Sequence, residues 1–274
     1  MRAVVLGSGT SHGIPVAGCA CAVCTSGDPR DQRTRCSLYV EGPGEERFVI
    51  DTGPEFRLQA VKAGIRKLDA VFLTHSHADH LHGLDDVRPF SDINPLPVWG
   101  NEQTINEMIE RFAYVFNPNT QLGGGKPRLI PSVTGKPVRV GSLTVTPFPV
   151  KHGVLEILGW HISETGGADS GANRADGLLY ITDASAIDGE VMKKLPRPEI
   201  LVIGGLREKP HVTHFSFEQA LQTGAHLKCG RIYLTHICHR HTHREIENYC
   251  REYCEKHSID CAAGPAWDGL ELPI

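Results

Sequence analysis

The segment Thr74-His75-Ser76-His77-Ala78-Asp79-His80 constrains this chain more than any other. Its imidazoles and carboxylate crowd into six residues, directly after the apolar run Ala70 to Leu73. A loop at a strand end can fold back so that side chains from neighbouring positions converge. His75 and His77 can then bind one ion while Asp79 and His80 face a second. Neutral imidazole and carboxylate suit Zn, Mn or Fe rather than Ca or Mg. The spacing predicts a metal centre, and the strand before it needs a sheet to carry it.

The rest of the pattern supplies that sheet. Arg2 to Leu6, Ser37 to Val40, Arg47 to Ile50 and Ala70 to Leu73 read as strands, and Pro54 to Ala63 as a helix closed by Gly64. Asn101 to Phe116 reads as an amphipathic helix, with Ile105, Met108, Ile109, Phe112 and Phe116 on the helical period. In the second half, strands are predicted at Leu143 to Val150, Leu155 to Ile162, Leu178 to Ile181, Ile200 to Ile203 and Arg231 to Leu234. Helices are predicted at Phe217 to Leu227 and Arg244 to His257. Asn117 to Pro127 and Thr165 to Asp176 lack periodicity and read as exposed loops. Strands precede helices in each half, which predicts two similar αβ halves packed sheet on sheet with helices outside.

Composition excludes several classes. The 274 residues carry 28 Lys+Arg against 32 Asp+Glu, a net charge of -4. That balance disfavours a broad nucleic-acid footprint, although a local basic patch stays open. No apolar run approaches the ~20 residues of a membrane span. Arg2 to Gly9 does not read as a secretory signal, so a cytoplasmic location is expected and a disulfide framework is not. The excess is in 15 His and 9 Cys, which points to metal instead.

The His75, His77, Asp79, His80 pattern resembles the HxHxDH motif of the metallo-β-lactamase fold superfamily. The resemblance implies an α+β, four-layered αβ/βα sandwich of two mixed sheets with outer helices, as a single hydrolase domain over 1–274. It also implies further ligands at later strand ends, where His152, Asp183 and His236 stand. One divalent ion would take His75, His77, His152 and Asp183. The other would take Asp79, His80, His236 and the same Asp183 as a bridge. Such a pair activates water to hydroxide at neutral pH and holds the oxygens of the group under attack. Mn and Zn suit these donors equally.

Gly18-Cys19-Ala20-Cys21-Ala22-Val23-Cys24 is the second signal. Three thiolates this close can wrap one tetrahedral ion. His239 is the best fourth ligand and Cys238 its rival. With Gly7-Ser8-Gly9-Thr10-Ser11 and Gly13-Ile14-Pro15, this loop resembles the opening of the superfamily's phosphodiesterase branch, that of the phosphoribosyl cyclic phosphate phosphodiesterases of the carbon–phosphorus lyase pathway. The branch implies a structural zinc on Cys19, Cys21, Cys24 and His239, and a homodimer. The opening glycines are not a nucleotide loop, because no Gly-Lys-Ser/Thr ending follows.

His214-Phe215-Ser216 is similar to the His-Ser-Thr motif of the tRNA 3′-end-processing branch, with Phe215 in place of the middle Ser. In such enzymes this His contacts the scissile phosphate. An imidazolium at His214 would steady the phosphate and protonate the leaving oxygen, while Ser216 caps the next helix. His82 reads as a helix start, and His241 and His243 as solvated. Trp267-Asp268-Gly269-Leu270 resembles the closing Asp-Gly segment of the phosphodiesterase branch, which implies a supporting role for Asp268 near the site, and Arg88 reads as a substrate contact or a surface charge. Cys250 and Cys254 read as buried small apolar residues.

The reading is a metal-dependent phosphodiesterase acting on small or cyclic phosphodiesters, with Asp79 and His214 in its catalytic machinery. A ribonuclease Z-like endonuclease, a thioester or lactam hydrolase of the same fold, and a non-catalytic zinc-binding module are the alternatives. The first would need a long tRNA-gripping arm, and Asn117 to Pro127 is short for one.

Overall fold

The computed structural model describes residues 1–117, 119, 125–165 and 175–274. The first half runs β1 (Arg2–Gly7), β2 (Ser37–Glu41), β3 (Arg47–Ile50), α1 (Phe56–Lys62), β4 (Ala70–Phe72), α2 (Ala78–Leu81), β5 (Leu96–Gly100), α3 (Glu102–Arg111), α4 (Ala113–Phe116) and β6 (Leu129–Val133). The second half runs β7 (Val138–Val140), β8 (Leu143–His152), β9 (Leu155–Glu164), β10 (Leu178–Ile181), α5 (Gly189–Met192), β11 (Ile200–Gly204), α6 (Phe217–His226), β12 (Arg231–Thr235), α7 (His243–Lys256), β13 (Ala262–Pro265) and β14 (Leu270–Pro273).

Among the described residues the strands form two seven-stranded sheets, ordered β14-β1-β2-β3-β4-β5-β6 and β13-β12-β11-β10-β9-β8-β7. Both are mixed. β3 to β6 pair in parallel, as do β10 to β13, while the remaining pairings are antiparallel. The C-terminal strand β14 pairs with β1 and closes the first sheet with residues from the far end of the chain.

Strand alternation decides the layers. Ala3, Val5, Leu38, Phe48, Ile50 and Phe72 point from the first sheet toward Val145, Trp160, Ile162, Tyr180 and Val202 of the second, forming the central core. The alternate residues Val4, Tyr39, Val49, Val71 and Val98 pack outward against Phe56 and Ala60 of α1 and Ile105 and Met108 of α3. On the opposite flank, Leu179, Leu201, Ile203, Ile232 and Leu234 pack against Phe217 and Leu221 of α6 and Ile246 and Cys250 of α7. Each such fully buried aliphatic or aromatic side chain contributes roughly 1.5–3 kcal/mol of transfer free energy. The result is the expected helix–sheet–sheet–helix sandwich.

Several local expectations change. The helix predicted over Asn101 to Phe116 breaks at Phe112 (φ -107°, ψ 36°), dividing α3 from α4. His82 ends α2 rather than starting a helix, and its ring packs on Phe112 at 6.4 Å. His243 is buried, not solvated, because its ring lies against Trp267 at 5.5 Å and its amide donates to Asp31 at 2.6 Å. The expected loops Asn117 to Pro127 and Thr165 to Asp176 lie largely outside the described residues. No described helix is long and apolar enough to cross a membrane.

Candidate metal centre

Four strand ends deliver the donors. The turn after β4 carries His75, His77, Asp79 and His80, and β8 ends on His152. Asp183 lies just past β10 and His236 just past β12. Their donor atoms assemble into two adjacent sets, His75, His77 and His152 on one side and Asp79, His80, Asp183 and His236 on the other, each within 4.8 Å. Asp183 joins them, since its donor atom also lies within 4.8 Å of those of His152 and His214. Its Oδ2 is 3.1 Å from His80 Nε2 and its Oδ1 3.1 Å from His236 Nε2. Asp79 Oδ2 stands 3.2 Å from the same nitrogen of His80.

The orphaned atoms test whether ions fit. The Nε2 atoms of His75, His80 and His236 are buried without a hydrogen-bond partner. Buried polar atoms are nearly always satisfied, so several orphans converging on carboxylates mark a place for cations. The outer faces of the ligands are tied down instead. His152 Nδ1 donates to the Thr213 carbonyl at 2.8 Å, which turns its Nε2 inward. His80 Nδ1 lies 2.7 Å from Asp51 Oδ2. That arrangement of imidazole held by a carboxylate fixes the ring and raises its basicity as a ligand.

Asp51 was not among the residues singled out from the sequence. It follows β3 in Asp51-Thr52-Gly53, and its carboxylate also accepts from the Thr74 amide and hydroxyl, both at 2.8 Å. Gly53 is required beside it. A Cβ there would stand 2.4 Å from the Asp79 carbonyl oxygen, so the His-rich turn can seat only on a glycine. The available signal was a carboxylate at the end of an apolar strand, a pattern that also marks Asp183.

Asp51, Asp183 and His236 all adopt left-handed backbone, with φ of 62°, 53° and 55°. For residues with a side chain this costs of order 1–3 kcal/mol each. The surrounding sheet imposes it, and strain at three strand ends aims three side chains into one space.

The electrostatics follow from crowding. Burial pushes the His75 imidazole well below its usual value, and neighbouring His80 adds to the effect. Burial also opposes charge on His80, yet Asp79, Asp183 and Asp51 together hold it well above the usual range. Asp183 is held far below a normal carboxylate against the burial penalty, by His236 and His80. Asp79 is held low in the same way, by His80 and His236 against its burial, so Asp79 and Asp183 both favour the ionised form a metal ligand needs.

His214 stands beside this set. Its Nδ1 is 3.5 Å from Asp183 Oδ1, and its ring lies 4.8 Å from those of His152 and His236. Burial pushes it down to about 3, with His236 adding to the effect. His211, the other histidine of this segment, is exposed with its ring 5.2 Å from that of His214, and His214 is the one whose ring nitrogen joins His152 and Asp183.

The second cluster is separate. His239 Nδ1 lies 3.4 Å from Cys19 Sγ and 3.5 Å from both Cys21 and Cys24 Sγ. Tetrahedral zinc, with bonds of about 2.3 Å to sulfur and about 2.0 Å to nitrogen, requires ligand edges of about 3.6 Å. The donors fit. Cys238 stays outside the set. The amide of Cys24 pulls the Cys21 thiol down to about 6. The Val16 amide donates to Cys24 Sγ. The loop is stitched to the strand end bearing His236, since Thr10 N donates to the Ile237 carbonyl at 3.1 Å and Ile237 N to the Ser8 carbonyl at 3.0 Å. Asp268 supports the same junction by accepting from the amides and hydroxyls of Ser8 and Thr34. Arg88 donates to the Gly125 carbonyl, a contact within the first half of the chain.

Comparison with known proteins agrees with this geometry. The β-lactamase superfamily domain matches residues 46–237. A crystal structure of a diphosphatase from the PhnP family superposes with a TM-score of 0.83 at 34% identity, covering 100% of this chain and 97% of that one. Zn(2+)-bound PqqB from Methylobacterium extorquens shares the fold, with a TM-score of 0.79 at 20% identity over 100% of both chains. An octanoyltransferase of Porphyromonas gingivalis is 38% identical over 275 residues, which cover 100% of this chain and 52% of that protein. This chain thus spans about half the length of that curated relative. With its paired sheets, its HxHxDH turn and a matched domain that takes in most of its length, the chain belongs to the metallo-β-lactamase superfamily of hydrolases.

Proposed function

We propose that this hydrolase is a phosphodiesterase acting on small phosphodiesters, cyclic ones among them. The observation that carries the reading is the placement of His214. It is an imidazole beyond the two ligand sets, within 3.5 Å of the carboxylate that joins them and with its Nδ1 unpartnered. Divalent ions, Mn or Zn, held by His75, His77, His152, Asp79, His80, Asp183 and His236, would supply Lewis acidity and lower the pKa of water. Asp183 and Asp79 keep the two donor sets in register, and Asp51 and Thr213 hold the rings of His80 and His152 in their inward orientation. His214 donates a ring N–H to a phosphoryl oxygen. The charge of a bound phosphate favours its imidazolium form, which passes its proton to the leaving oxygen. A structural zinc on Cys19, Cys21, Cys24 and His239, a homodimer and a cytoplasmic location belong to the same reading.

A second reading, acyl or thioester hydrolysis, is favoured by the octanoyltransferase name of the Porphyromonas gingivalis relative. About half of that protein lies outside the match, and the other half can account for its name. The diphosphatase name of the similar structure puts phosphoanhydrides beside phosphodiesters.

The test is a panel offered to Mn- or Zn-loaded protein: a 2′,3′-cyclic nucleotide, an aryl phosphodiester, a nucleoside diphosphate ester, a precursor tRNA and an octanoyl thioester. Turnover of the small diesters is expected. Thioester or tRNA cleavage without small-diester turnover refutes the reading. His214→Ala is expected to lower kcat by about 10²–10⁴-fold with metal content unchanged, and loss of the metals would refute its assignment.

A further inference from the structure

A pair of cysteines lies on the far flank of the second sheet, at the opposite ends of strands β12 and β13 from the metal centre. The parallel register pairs Arg231 with Ala262, so one step earlier Gly230 faces Cys261. Glycine is needed there because a Cβ would stand 2.7 Å from the Glu199 carbonyl oxygen. Cys229 sits in the preceding turn, where Lys228 takes a left-handed φ of 53°, and its thiol joins the cluster that Cys261 and Ala263 pack against. Cys229 is buried, with Sγ donating to the Gly224 carbonyl at 3.2 Å. Cys261 is partly exposed and lines an open cavity of about 520 Å³ with Cys254, Ser258 and Asp260.

We propose that Cys229 and Cys261 form a reversible oxidation site, at which a peroxide reacts with Cys261 and Cys229 resolves the product to a disulfide. The chemistry balances in two steps. The Cys261 thiolate attacks hydrogen peroxide, taking one oxygen to become a sulfenic acid as the second leaves, after protonation, as water. The Cys229 thiol then attacks that sulfur, forming the S–S bond and expelling a second water. The arrangement has the features such a pair needs, an accessible thiol of thiolate character beside a resolving thiol. The neighbouring Cys229 thiol lowers the Cys261 thiol toward its thiolate, and the same interaction, with burial, holds Cys229 protonated. Cys250 and Cys254 are buried on α7 and raised by burial, so they make poorer first targets. The bond would close a loop containing all of β12, α7, His236 and His239, and so constrain the unfolded chain.

The experiment uses the full chain, metal-loaded, treated with hydrogen peroxide at limiting dose. Peptide mapping without reduction should find a Cys229–Cys261 link, lighter by two hydrogens and reversed by dithiothreitol. The melting temperature of the oxidised protein should rise by roughly 5–10 °C. Cys261→Ser should abolish both changes, and Cys254→Ser should leave both intact. A link from Cys261 to Cys254, overoxidation of Cys261 without a link, or oxidation confined to Cys19, Cys21 and Cys24 would each overturn the proposal. The readouts are covalent and thermal, so they stand apart from the substrate of the hydrolase.

Discussion

The His/Asp cage draws its donors from four strand ends, whereas the cysteine cluster takes three donors from one loop and one from beyond β12. In the cage, backbone strain at Asp183 and His236 is enforced by sheet on both sides. The cysteine donors lie outside the described strands, and the segment leading to them is tied down by isolated bridges such as Gly9 to Ile237 and Ile14 to Arg33. A site made by a fold keeps its shape without its ion. A site made by a loop takes its shape partly from the ion. Removing metal should therefore cost the first its chemistry and the second its stability.

The largest effect expected is at Asp183. Asp183→Ala takes away the carboxylate that links the two sets through His152, and should lower turnover of an aryl phosphodiester by about 10³-fold or more. Metal analysis should show the cage ions reduced and one zinc retained. If zinc at the cysteine cluster were lost as well, the two regions would be one cooperative unit and the contrast would fail.

Asp51→Asn comes next. It leaves all the ligands in place but weakens the hold on His80 and on the Thr74 amide. Loss of such an outer contact costs about 10- to 100-fold in metal affinity or activity. An effect as large as that of Asp183→Ala would make Asp51 a ligand in its own right. Asp51 also shows what the sequence leaves unread. The HxHxDH turn announces itself because its donors are adjacent in the chain, and His152, Asp183 and His236 could be placed once that turn was recognised. Most strands of the central core were visible because alternation or an apolar run betrays them, while the short β7 and β14, which also reach that core, were not. Asp51 depends on a contact across 29 residues, and nothing near it in the chain names its partner. Strand β6 was equally silent, since Leu129–Val133 carries a proline and none of its residues is buried. His243 was misjudged for the same reason, because its burial comes from Trp267 and Asp31 rather than from its own helix.

Cys21→Ser probes the other side of the comparison. It should release the cluster's zinc and lower the melting temperature by roughly 5 °C or more. The fall in turnover should be smaller than for Asp51→Asn, since the loop reaches the cage indirectly, through the pairing of Ser8 and Thr10 with Ile237 and through His239. A fall in turnover beyond that of Asp51→Asn, with the protein still folded, would show that the zinc sets the position of His236 directly.

The smallest effects test whether the helices that follow each cluster matter to it. Both begin with a capping box. Ser216 accepts from the Gln219 amide and Gln219 accepts back from the Ser216 amide. Thr242 and Glu245 do the same at α7. Ser216→Ala and Thr242→Ala should each cost about 1 kcal/mol of stability, read from denaturant midpoints. Their functional consequences should differ little, for a reason visible in the backbone. His214 is held by its neighbour Phe215, whose amide donates to the Ala184 carbonyl and whose own carbonyl accepts from Leu206 at 3.0 Å. Those bonds persist when the cap is lost, so kcat should stay nearly unchanged in both variants. A selective loss of turnover in Ser216→Ala would mean that the cap, rather than the Phe215 bonds, positions His214. The cage would then depend on a helix terminus as well as on its strand ends.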